Sequence, residues 1–208
     1  MADWPTIASL ATAGGTLVLA AATFASVRSA NRAARTAERS MLAGLRPLLL
    51  GSRTEDPSQK VMWADRHFAY VPGGRAVVEV DGDAIYLAGS VRNAGAGVAV
   101  LDGWRVQLRH DGDMERSELD AFRRLTRDLY VPVGDVGFWQ GAIRDVDDPD
   151  RATVLAAIDT REILMVDVLY GDQEGGQRTI TRFSLTPVND GWLFAAGRHW
   201  NIDRDDPR

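Results

Sequence analysis

Asp167 is the side chain whose setting first suggests chemistry. It interrupts the apolar run at 163–170, where a lone carboxylate reads as a catalytic acid or as half of a cross-strand ion pair. A hairpin closed around Gly175 and Gly176, with Tyr170 opposite Gln177, sets Asp167 against Ile180 and diagonal to Arg178 and Arg182. Ion pairing is therefore the expected role. The three histidines, His67, His110 and His199, stand apart in sequence and form no H-x-x-x-H pair of the kind that holds zinc. Asp145, Asp147, Asp148 and Asp150 offer oxygens to calcium. Pro149 breaks the ligand spacing, however, and a glycine and a terminal glutamate are missing, so helix capping is the better expectation.

The common catalytic loops are absent as well. Lys60 is the only lysine and follows Gln59, so there is no G-x-x-x-x-G-K phosphate loop. Gly95-x-Gly97 lacks a third glycine and reads as a tight turn. No G-x-S-x-G elbow surrounds Ser52, Ser58, Ser90, Ser117 or Ser184. With no cysteine, thiol chemistry and cysteine-held metals are excluded. No catalytic, cofactor-binding or metal-ligating residue is assigned, and the expectation is a protein without enzymatic activity or cofactor.

The elements around these residues fall into two parts. From Trp4 to Val27 there is no charge, and the 22 residues at 6–27 would span about 33 Å as helix, against roughly 30 Å of bilayer hydrocarbon. Asp3 precedes this stretch where a cleavable leader would carry cations. Arg28, Arg32, Arg35, Arg39 and Arg46 follow it instead, which by the positive-inside rule places a short leader at 1–5 outside the cell membrane and the bulk of the chain in the cytoplasm. Residues 28–45, rich in Ala and Arg, are expected to prolong the helix to the neighbourhood of Gly44 and Pro47. Arg28, Arg32 and Arg35 share a stripe and are the candidates for lipid phosphate. Ala13, Thr16, Ala20, Thr23, Ala30 and Ala34 form a seam of small residues suited to self-association or to a partner membrane helix.

Residues 46–208 carry 20 cations and 27 anions, once the four arginines and two carboxylates ahead of Arg46 are set aside. An acidic body argues against nucleic acid as partner. Period-two patterns run through Leu48 and Leu50; Val77, Val78 and Val80; Ile85, Leu87, Gly89 and Val91; Trp104, Val106 and Leu108; Leu164 to Tyr170; and Thr179 to Leu185. Turn signals at Asp81-Gly82, Asp111-Gly112, Gly175-Gly176 and Asp190-Gly191 separate them, which implies antiparallel hairpins. Two short helices are expected. One is capped by Ser117 and Asp120 over Leu119, Phe122 and Leu125; the other follows Asp148-Pro149 over Val154, Leu155 and Ile158. The closing aromatics Trp192, Phe194 and Trp200 are expected in the core.

The stretch A-G-S-V-R-N-A-G-A-G-V-A-V, residues 88–100, resembles the strand–turn–strand element of bacterial immunoglobulin-like modules. The layout, an N-terminal helix, an Arg/Ala segment and R-P-L-L-L leading into a small β-domain, resembles uncharacterised single-pass proteins of high-GC bacteria. Its 23 arginines against one lysine fit that source. The resemblance implies membrane residence and a mainly β, antiparallel immunoglobulin-like β-sandwich at 46–208, with no known reaction. The functional expectation is a protein-interaction or scaffold module with an unidentified protein partner. A small-molecule sensor signalling through the helix is the first alternative, and a membrane-tethered hydrolase the second.

Overall fold

The computed structural model describes residues 3–108, 115–189 and 191–203 in two compact units, divided between Ala43 and Gly44. His110 and the Asp111-Gly112 turn lie outside the described residues, as does Asp190 of the last turn signal.

The first unit is one helix, α1 (Trp4–Gly44), and its end at Gly44 agrees with the sequence expectation. Within it Ala8–Leu42 is long and apolar enough to cross a membrane, by length and composition. Leu10, Leu17, Val18, Leu19 and Phe24 are each more than two-thirds exposed. The Thr16 and Thr23 hydroxyls donate to the carbonyls of Thr12 and Leu19, four residues back, which satisfies these groups without a second helix. The six seam residues and Arg28, Arg32 and Arg35 are all exposed.

The second unit is mainly antiparallel β-structure. Its strands are β1 (Leu49–Gly51), β2 (Gln59–Met62), β3 (Phe68–Val71), β4 (Arg75–Asp81), β5 (Ala84–Asn93), β6 (Ala99–Leu108), β7 (Arg123–Val131), β8 (Val136–Ile143), β9 (Leu164–Gly171), β10 (Arg178–Val188) and β11 (Gly191–Asn201). Nine of them form one sheet in the order β1-β5-β4-β11-β10-β9-β6-β7, with β8 on the free edge of β5. β2 and β3 form a separate hairpin. The sheet curls into a half-barrel whose end strands β7 and β8 approach each other without a backbone ladder. Side chains bridge this seam: Arg127 donates to Gln140 at 3.3 Å and stacks over Phe138.

The curl encloses a core in which Trp139, Phe183 and Phe194 stack, with Trp104 edge-on to Trp139. Gly89 is required here, because a Cβ on it would lie 2.4 Å from the Phe194 ring. Trp192, Phe194 and Trp200 are buried, as expected for the closing segment. The β2–β3 hairpin covers another face of the sheet through Val61, Trp63, Ala69 and Val71, packed on Tyr86 and Ala88.

Three local expectations are corrected. The helix proposed over Leu119, Phe122 and Leu125 is a single 3-10 turn, Leu119–Ala121, followed by strand β7; the Ser117 hydroxyl donates to Asp167 instead of capping it. The β9–β10 register pairs Tyr170 with Thr179, two residues from the expected partner, because the Asp172 carboxylate accepts the Gly176 and Gln177 N–H groups and holds a loop two residues longer. In strand β1 it is Leu49 that is fully buried, with Leu48 and Leu50 half-buried beside it. The helix after Pro149 is present as α2 (Arg151–Thr160), with Val154 and Ala157 buried. It has no side-chain cap: Asp148 and Asp150 instead bind Arg123 at 2.7 Å each.

Candidate functional site

The chain enters the domain through a segment that is tightly held. The Arg46 guanidinium donates to Thr179 (3.1 Å), Asn201 (3.0 Å) and Asp203 (2.5 Å). Arg46 therefore belongs to the domain's own structure and is not one of the cations available to lipid. Asn93 completes the anchorage: its amide nitrogen donates to the carbonyls of Gly97 and Val131, and its oxygen accepts from the backbone of Leu48 and Gly95. Gly97 is obligatory in this arrangement, since a Cβ there would lie 1.7 Å from the Leu45 carbonyl.

Asp167 is fully buried and faces Arg182, not Ile180. Its two oxygens accept from Arg182 Nε at 2.7 Å and Nη2 at 2.8 Å, and the Ser117 hydroxyl adds a third bond at 2.6 Å. Arg105 donates to Ser117 and extends the network. These three bonds tie the buried carboxylate to Arg182 and Ser117.

The two described histidines are also built into structure. The His67 ring stacks on Tyr86, centroids 3.9 Å apart, with Nε2 2.8 Å from Glu79. The Tyr86 hydroxyl and Arg144 both donate to Asp65, and the Arg144 hydrogen bond holds that carboxyl well below the usual range. His199 Nδ1 lies 2.7 Å from the Thr181 hydroxyl, which meets Tyr170 in turn. Burial pushes the Tyr170 phenol up. Among the described residues no group of three or more His, Asp or Glu could hold a metal ion.

An open setting rich in charge lies on the β6–β7 strand pair. Leu101 pairs with Leu129 and Gly103 with Arg124, so four residues of β7 stand against the single residue Asp102 of β6. A bulge of this size detaches the strand locally and redirects its side chains. It opens a groove of about 560 Å³ edged by Asp102, Arg123, Arg124, Arg127, Asp128 and Arg178. Leu119, Phe122, Leu125 and Leu169 supply apolar surface to it.

The arginines differ in how far they are committed. Arg123 is held by Asp148 and Asp150, and Arg127 leans on Gln140 and Phe138. Arg178 lies 4.0 Å from Asp102. Exposed Arg124 forms no hydrogen bond or ion pair among the described residues. Partial burial raises the pKa of Asp102 despite the nearby charges of Arg178 and Arg124.

Sequence reading missed this groove. Its signal was the cluster Arg123, Arg124 and Arg127, but a segment taken for helix turns such charges into an ordinary solvated face. Arg178 was considered only as a neighbour of Asp167. The lipid and helix-packing candidates all lie on α1. The chain matches no known protein family, no curated protein and no solved structure.

Proposed function

We propose that this chain is a single-pass membrane protein whose β-domain is a protein-interaction or scaffold module. The observation that carries the reading is the groove at the β6–β7 bulge, where an unpartnered arginine borders apolar surface on an otherwise acidic domain. Helix α1 supplies the anchor, with its small-residue seam available to a second helix. The N-terminus lies outside and the domain in the cytoplasm, because the arginines follow the apolar stretch. Arg28, Arg32 and Arg35 then meet lipid phosphates at the inner surface. A half-barrel with facing walls and the element at 88–100 support an immunoglobulin-like sandwich as the finer description of the fold. The groove's volume also favours a second reading, a small-molecule sensor.

The absence of native cysteine allows a unique cross-linking handle. Thr126→Cys places it in the bulged stretch of β7, between the groove residues Leu125 and Arg127, and Asp83→Cys on the β4–β5 turn. In native membranes, one protein captured reproducibly from position 126 and not from position 83 supports the interaction module. Equal capture from both, or none from either, contradicts it.

A further inference from the structure

The groove's charges define what it can hold. Arg123 is already neutralised by Asp148 and Asp150, which leaves Arg124, Arg127 and Arg178 facing Asp102 and Asp128. Within the lining itself these three arginines outnumber the two carboxylates by one, and both carboxylates that hold Arg123 lie outside it. A phosphate dianion or a polyanion would overcompensate this surplus and meet the repulsion of both carboxylates, whereas a single carboxylate balances it. The guanidinium fork of Arg124 matches a planar carboxylate in two parallel hydrogen bonds. Leu119, Phe122 and Leu125 lie beside these groups, with Phe122 and Leu125 half-buried, so a largely polar groove offers one apolar flank to the remainder of the occupant.

We propose that the groove between β6 and β7 is a binding site for a monocarboxylate attached to an apolar body, with Arg124 and Arg178 as the carboxylate clamp. This rests on the reading of the domain as a binding module and names the chemistry it recognises. Two sources carry that chemistry: a free organic acid, or the C-terminal carboxylate of a partner chain that ends in an apolar residue.

The test uses the full chain in nanodiscs and titration calorimetry. The probes are 3-phenylpropionate, its uncharged amide, inorganic phosphate, and a short peptide ending in Leu with a free or an amidated C-terminus. Binding of 3-phenylpropionate, at least tenfold tighter than its amide and than phosphate, assigns a free acid. Binding of the free-ended peptide, at least tenfold tighter than its amidated form, assigns a chain terminus. In either case Arg124→Gln should weaken binding about tenfold or more, the loss of one charge-assisted contact. Arg124 is exposed and unbonded, so this variant keeps the fold. No binding of either carboxylate at millimolar concentration, equal binding of acid and amide, or an unchanged affinity in Arg124→Gln overturns the proposal. Partner capture at position 126 in native membranes is read separately, so the interaction module can stand if the carboxylate site fails.

Discussion

Replacing Asp167 with Ala tests the buried network most severely. The carboxylate is inaccessible to solvent and accepts two hydrogen bonds from Arg182, whose side chain is only 5% exposed, and a third from Ser117. Its removal takes the carboxylate away from a buried guanidinium, a change that costs about 3–5 kcal/mol. Stacking of Arg182 on Trp200, at 4.9 Å, survives the substitution and draws the expectation toward about 3 kcal/mol. For a chain of this size that is a fall of roughly 6–12 °C in Tm. The assay is thermal and urea unfolding of the full chain in detergent, followed by tryptophan fluorescence, to which Trp200 reports directly. The companion variant Asp167→Leu with Arg182→Met removes both charges and should return to within about 1 kcal/mol of the parent. A loss below about 1 kcal/mol for Asp167→Ala would refute the reasoning, as would a double variant no more stable than the single one.

Other consequences are checked in the same preparation. Gly97→Ala drives a Cβ into the Leu45 carbonyl and should cost more than about 3 kcal/mol in urea unfolding, whereas Gly82→Ala, at an open turn with φ +56°, should cost about 1 kcal/mol. Asn93→Ala abandons four hydrogen bonds to buried or half-buried backbone and should cost about 3 kcal/mol or more by the same measurement. The folded-state pKa of Asp65 is depressed by Arg144, so its contribution is complete above the ordinary aspartate value of about 4 and is lost as pH falls further. Asp65→Asn should therefore start less stable at neutral pH and lose less between about pH 5 and 3; parallel acid profiles would contradict the assignment. Ala20→Leu with Ala34→Leu should weaken helix association in liposomes measured by energy transfer, and unchanged transfer would remove the seam as a packing surface.

Strands β4, β5, β6, β9 and β10 were legible from apolar residues recurring at every second position, although β5, β9 and most of β10 are buried on both faces. The helix α1 was legible because charge and proline are absent over its apolar part. Strand β7 was not, since Leu119, Phe122 and Leu125 recur at helical spacing and the polar positions of R-R-L-T-R-D-L-Y-V fit a solvated helix equally well. The register error at β9–β10 has a comparable origin: a slip of two residues leaves every side chain on its own face, so the hydrophobic pattern cannot distinguish the two pairings. What decides between them is the Asp172 side chain in the loop. The ion pairing of Asp167 was foreseeable from charge and spacing. The groove was not, because it depends on a bulge between two strands, one of which reads as helix, and on which arginines find partners elsewhere.

The central claim is that the apolar segment of α1 integrates this protein into a bilayer and leaves the β-domain in water. Alkaline carbonate extraction of native membranes tests it most directly, comparing the full chain with a variant lacking residues 1–43. The full chain should stay in the membrane pellet and the shortened one should appear in the supernatant; release of the intact full chain into the supernatant would contradict the claim.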